Sequence, residues 1–287
     1  MRSALSQPET GELVVVDDGS RDNTAALVSS LAVQDRRVRC LRPKGAPLGP
    51  GAARNLGAQA CGSDFLAFLD ADDFLLPGAF STALLRLADT TIDVVLSRIS
   101  IHFDDVGSRN GRPHEHDPAP LLATQDWLTV LCEGRVGVPV CSALVRRTAF
   151  ERVNGFDEVL LLGQDLVLWL KLACCSNASL SRGEHPVAVY RRHGSNRSDL
   201  SGYMPVQAGV WAFLRAWRWS HSALVAREPG KSLLRGAGLR QRQLVVRAMR
   251  GDAAAGTAAL SNAFQEPSLV FNRGFWFGSS VFGRSAF

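Results

Sequence analysis

No stretch of this 287-residue sequence approaches the roughly 18 consecutive apolar positions that a membrane-spanning helix needs, so no helical span is expected. The opening MRSALSQPETGE lacks an apolar core of the secretory type, so no secretory signal is expected either. Six cysteines (Cys40, Cys61, Cys132, Cys141, Cys174, Cys175) show no CxxC spacing, which removes the common zinc frameworks. Several of them lie in apolar runs, and buried free thiols in a reducing compartment are expected. There is no internal repeat. What remains is an ordinary globular composition, long enough for one large domain or a domain with an appendage.

The net charge of +5 is unevenly distributed. Residues 201–287 carry 11 Lys and Arg against 3 Asp and Glu, whereas residues 1–200 carry 21 against 24. The basic character belongs to the tail, and the split suggests two regions, 1–200 and 201–287. WAFLRAWRW (211–219) and SLLRGAGLRQRQLVVRAMR (232–250) read as basic amphipathic helices, with a third at about 252–264. Such helices can lie on an anionic membrane or bind nucleic acid, or pack on the body with their arginines solvated. Peripheral contact with the inner face of the membrane suits a cytoplasmic chain, and no nucleic acid is expected.

Within the body, apolar runs alternate with helical patterns. ELVVVDDGS (12–20) is a strand running into two acids and a turn. Asp22 or Asn23 then caps a helix through about Gln34, with Ala26, Leu27, Ser30 and Leu31 on its apolar stripe. VRCLRP (38–43) is a short strand, and KGAPLGPGAARN leads into a small-residue helix over 51–61. FLAFLDADD (65–73) reads as a strand buried on both faces that ends in three carboxylates. A helix starts near Pro77, and IDVVLSRISIHF (92–103) reads as one longer strand. Residues 104–123 read as a polar loop, followed by a helix at about 124–133. GQDLVLWLKLACC is a strong amphipathic helix, and PVAVYRRHGSN (186–196) contains the last strand. The alternation predicts an α/β fold around a mostly parallel sheet.

Open α/β sheets bind ligands at the carboxyl ends of their strands, where Asp70, Asp72 and Asp73 fall. Carboxylates that close repel one another unless a cation lies among them, and Mg²⁺ or Mn²⁺ is the usual one. The bland alternative is an acidic turn that starts a helix.

ELVVVDDGSRDNT, GAARNLGAQACGSDFLAFLDADD, GFDE, QDLVLWLKL and YRRHGSN, in this order and spacing, resemble glycosyltransferase family 2 over about residues 4–196. The resemblance implies the GT-A fold and inverting transfer of a sugar from a nucleotide-diphosphate sugar to a glycan or lipid-linked acceptor, in cell-envelope polysaccharide biosynthesis. It implies that Asp18 binds the nucleotide base, with Asp17 beside it supporting the turn. Asp70 and Asp72 match the DxD motif, with Asp72 on a divalent metal (Mg²⁺ or Mn²⁺) and Asp70 near ribose and metal. Asp73 either holds a metal-bound water or starts the next turn. Arg54 can face the diphosphate, and Gly49 and Gly51 let the loop pass close to the donor.

Asp165 falls where the family places its catalytic base, usually in a Glu–Asp pair. Here Gln164 precedes it, so the pair is half kept. His193 matches a histidine that completes the metal site in some members. Trp169, four residues after Asp165, either floors the acceptor pocket or is a core residue. GFDE (155–158) has a structural role, presenting the acceptor loop. PHEHD (113–117) resembles a metal patch, but composition explains it in a polar loop.

Family members begin with a strand ending in a Pro-x-Tyr-Asn-like turn, which does not precede ELVVV here. The expectation is a fold lacking that first strand, from a late start codon, a fragment or a degenerate homologue. The competing readings are an inactive homologue that binds or scaffolds, and a sugar-phosphate nucleotidyltransferase. The latter needs a Gly-rich basic signature near the N-terminus, which is not found. A phospho-acceptor receiver domain has no use for DADD or QD.

Overall fold

The computed structural model describes residues 1–103, 114–117, 127–132, 137–160, 162–180, 183 and 185–192. The chain divides into two compact units, one built from 1–119, 138–168 and 176–194, the other from 120–137, 169–175 and 195–287.

The first unit opens with α1 (Arg2–Leu5), β1 (Leu13–Val16), α2 (Thr24–Gln34), β2 (Val38–Leu41) and α3 (Pro50–Ala60). It continues through β3 (Phe65–Ala67), β4 (Phe74–Leu75), α4 (Ser81–Leu87), β5 (Val94–Leu96), β6 (Ile99–Phe103) and β7 (His114–His116). After α5 (Trp127–Cys132), which lies in the second unit, come β8 (Ala143–Arg146) and α6 (Arg147–Arg152). The last elements are α7 (Gln164–Cys175), β9 (Ala178–Leu180) and β10 (Ala188–Arg192). The strands form a β1–β2 pair and two four-stranded sheets, in the orders β4-β10-β6-β7 and β3-β8-β5-β9.

This is a mixed α/β architecture, as the sequence pattern implied, but the balance differs from mostly parallel. Among the described residues three ladders are parallel (β1–β2, β6–β10, β5–β9). Four are antiparallel (β3–β8, β5–β8, β4–β10, β6–β7). The long strand expected over 92–103 is two strands in two sheets. Ser97 N–H donates to Ser142 O (2.8 Å) and Val187 N–H to Arg98 O (2.8 Å), so the chain changes sheets at this point. The expected loop over 104–123 contains β7, whose Glu115 and Asp117 pair with Arg98 at 3.2 and 3.0 Å. That pairing occupies the acids of PHEHD. Among the described residues no three His, Cys, Asp or Glu side chains converge as a metal cage.

Two helices also differ in detail. α4 begins at Ser81 and not near Pro77, because Gly78 turns the chain at φ +74 first. α2 buries Val28, with Ala25, Leu31 and Ala32 half-buried beside it, and leaves Ala26, Leu27 and Ser30 exposed. The helix is apolar on most sides, so its rotation is decided by contact with β2 and not by its own pattern. β3 is covered less completely than expected: Leu66 is buried, Phe65 half-buried and Ala67 exposed.

Among the described residues two apolar clusters lie in the first unit. Ala4, Leu75, Ala79, Ile99, Cys141 and Ala188 form one, and Ala83, Leu87, Val95 and Leu144 the other. The N-terminal segment is bound into the first by Gln7, which is 1 % exposed. Its amide donates to Ser3 O and Leu76 O (both 3.0 Å) and accepts from Ala79 N–H (3.1 Å), so this buried polar side chain is matched at both ends. Arg37 adds bonds to Leu5 O (2.9 Å) and Thr10 O (3.2 Å) while paired with Asp35 (2.7 Å).

In the second unit, Trp127, Leu128, Val130 and Leu131 are buried, as are Trp169, Leu170 and Leu172. Cys40, Cys61, Cys141, Cys174 and Cys175 are free thiols, but only Cys141 and Cys174 are buried as expected, the other three being half-buried. The tail helices expected after residue 200 lie outside the described residues, and so does the proposed boundary there.

Candidate active site

The acidic strand end is built as follows. β3 delivers Phe68, which is buried, and the chain then turns through Asp70–Asp73, closed by Asp73 N–H donating to Asp70 O (3.1 Å). Phe68, Phe150 and Phe156 stack beneath in an aromatic trio with centroids 4.9–5.7 Å apart. Arg54 of α3 lies over the Phe156 ring (5.3 Å) and holds Asp70 Oδ1 at 2.6 Å. One arginine therefore joins the small-residue helix, the DxD turn and the GFDE loop.

Asp165, in the first turn of α7, is the third member of this group. Burial pushes its carboxyl pKa upward, the Leu166 N–H (2.8 Å) and the Arg54 charge pull it down, and Asp70 raises it again. The Arg54 and Asp70 charges thus both bear on Asp165, although the three lie far apart in sequence. α7 begins after Gly163 in the left-handed region (φ +79) without a side-chain cap.

Asp73 behaves differently from Asp70. It is buried, its Oδ1 accepts from Arg191 N–H (2.9 Å), and its Oδ2 has no N–H or O–H donor among the described residues. The Cys141 thiol, a weak donor, lies beside it. Burial chiefly, with the neighbouring Asp70 and Asp72 charges, pushes the Asp73 carboxyl up to about 7. Burial and Asp73 together push the Cys141 thiol well above its ordinary range.

At the other end, Asp18 accepts from Leu48 N–H (2.6 Å) and Gly49 N–H (2.8 Å), fixing the loop that opens α3. Asp17 is buried and accepts from Ser20 N–H (2.8 Å), with Arg42 3.6 Å away. Asp17 therefore supports the turn. Gly51 packs directly on the Asp157 carbonyl, where any Cβ would overlap it. Trp169 is 1 % exposed and belongs to the second unit, so it is a core residue. His193 lies outside the described residues.

Sequence reasoning missed Asn55, which is buried beside Arg54 in the same AARN motif. Its amide donates to Phe156 O and Glu158 Oε1 (both 2.9 Å), and its oxygen accepts from Phe156 N–H (2.8 Å). The signal was present in the two motifs, AARN and GFDE, but nothing in either motif pairs one with the other.

The chain belongs to glycosyl transferase family 2, whose model matches residues 1–153. It is 28% identical over 227 residues to succinoglycan biosynthesis protein ExoU of Rhizobium meliloti (strain 1021), covering 70% of this chain and 64% of that protein. It is 32% identical over 205 residues to ExoO of the same organism, named likewise, covering 68% and 57%. The chain therefore spans less than two thirds of either relative. S. aureus TarS 1-349, solved in complex with UDP-GlcNAc, superposes with a TM-score of 0.54 at 16% identity, over 93% of this chain and 86% of that one. The fold is GT-A.

Proposed function

We propose that this chain transfers a sugar, with inversion, from a nucleotide-diphosphate sugar to a hydroxyl of a glycan or lipid-linked acceptor. The observation that carries the reading is the grouping of Arg54, Asp70 and Asp165: a cation held on the DxD turn at 2.6 Å, with both charges acting on a single half-buried carboxylate. Asp165 takes the acceptor proton as the acceptor oxygen attacks the anomeric carbon, and the bond to the diphosphate breaks. One base and one displacement give inversion. Arg54 swings from Asp70 toward the departing diphosphate, and Asp18 contributes at the nucleotide end.

The DxD carboxylates suit a divalent metal. Mg²⁺ and Mn²⁺ are commonly held by one or two carboxylates plus substrate phosphates, so no cage of three protein ligands is required. The buried Asp73 Oδ2 accepts no N–H or O–H hydrogen bond among the described residues, which fits a cation beside this turn. Asp70 and Asp72, with His193 as a third candidate, would hold it, and it would neutralise charge on the leaving diphosphate. The relatives named for succinoglycan biosynthesis support a role in envelope polysaccharide assembly. Among the described residues no helix is long and apolar enough to cross a membrane, and membrane contact is assigned to the basic tail.

Asp165→Asn tests the base. Release of UDP from UDP-sugars in the presence of acceptor extract and Mn²⁺ is expected to fall by about 10²–10⁴-fold, with UDP affinity unchanged. Retained turnover would remove Asp165 from that role.

A further inference from the structure

We propose that Asn55 and Gln164 are positioning residues that together set Asp165 against the donor side, an inference that rests on the reading of Asp165 as the base. Two amide side chains connect three segments that are distant in sequence. Asn55, on α3, satisfies both backbone groups of Phe156 and the Glu158 carboxylate. The approach is close on both sides. Gly51 touches the Asp157 carbonyl, and Gly155, at φ +56, has Asn55 Oδ1 where a Cβ would need to be. The GFDE loop is therefore bolted to α3 and cannot be shifted without breaking buried hydrogen bonds.

From that loop the connection runs onward. Asp157 Oδ1 accepts from Val159 N–H (3.0 Å) and Leu160 N–H (2.8 Å), folding the chain back. The Leu160 carbonyl then accepts from Gln164 Nε2 at 2.7 Å. Gln164 is buried and immediately precedes Asp165. Among the described residues α7 has no side-chain cap, and this amide ties its first turn back to Leu160, just past the GFDE loop.

The residue type at 164 follows from this bond. An ionised glutamate offers only acceptors and would face the Leu160 carbonyl with none to give. The departure from a Glu–Asp pair thus exchanges an acid for a donor, and leaves Asp165 as the single carboxylate of that turn. Asn55 lies next to Arg54, so the same helix that holds the donor-side cation also fixes the loop that aims the base.

The test uses the full chain, with amide hydrogen exchange, calorimetric binding of UDP with Mn²⁺, and UDP release from UDP-GlcNAc. Asn55→Asp keeps the size but removes the donor and sets two acids together. Exchange over residues 156–166 is expected to speed up about tenfold or more, while β5 and β6 stay unchanged. UDP release is expected to slow by about the same factor at unchanged UDP affinity. Adding Glu158→Gln to Asn55→Asp, which restores a donor to that pair, is expected to recover part of both. Gln164→Glu, the second variant, is expected to loosen Leu160–Leu166 while leaving Phe156 protected. Exchange that rises throughout the unit, or UDP affinity falling in step with turnover, would overturn the relay. A wild-type chain that binds no nucleoside diphosphate would overturn the functional reading, and the exchange pattern would still decide the relay.

Discussion

The Arg54 guanidinium lies 2.6 Å from Asp70 Oδ1 and 5.3 Å over the Phe156 ring, so one side chain joins the Asp70–Asp73 turn to the GFDE loop. Arg54 is largely shielded, with 18% of its side chain exposed, while Asp70 keeps 41% of its own exposed. In the proposed reaction this arginine has two anionic partners, Asp70 and the diphosphate.

Arg54→Gln should therefore weaken UDP binding more than it disturbs the fold. A loss of roughly tenfold or more in UDP affinity is expected from removing one charge-assisted contact. Calorimetry with UDP and Mn²⁺ measures it. Arg54→Lys should recover only part, since an ammonium lacks the planar fork.

Where the acids of this candidate site fall along the fold was legible in the sequence, for identifiable reasons. Asp18 and Asp70–Asp73 follow short apolar strands, so strand ends and acids declare each other locally. Asp165 starts a helix with a clear amphipathic pattern. What was not legible depends on partners remote in the chain. Asn55 bonds a loop 101 residues away, and no local pattern contains that partner. The break between β5 and β6 is caused by Ser142 and Val187, so IDVVLSRISIHF looked continuous from within. The rotation of α2 escaped for a different reason: a helix with apolar residues on most sides does not state which one is buried.

Gly51→Ala tests the contact between α3 and the GFDE loop. A methyl there overlaps the Asp157 carbonyl, which is backbone and yields little. Destabilisation of about 1–3 kcal/mol or more is expected, seen as a melting temperature lower by roughly 5 °C. Unchanged melting would show that the two segments separate easily.

Asp35 gives a pH dependence. The hydrogen bond from Arg37 holds its carboxyl at about 2, below the ordinary 3.8. A depressed carboxylate stabilises the fold above its unfolded pKa and loses that contribution as pH falls through the folded one. The stability gap between wild type and Asp35→Asn should therefore be full above about pH 4 and close toward pH 2. Denaturant melts across that range measure it, and a gap independent of pH would contradict the pairing.

The central claim is tested most directly by calorimetric titration of the chain with nucleoside diphosphates, UDP first, in Mn²⁺ and again in excess chelator. Saturable binding that needs the metal and is lost in Asp72→Asn is expected. Absence of binding for every nucleoside diphosphate, or binding indifferent to both chelator and Asp72→Asn, would contradict it.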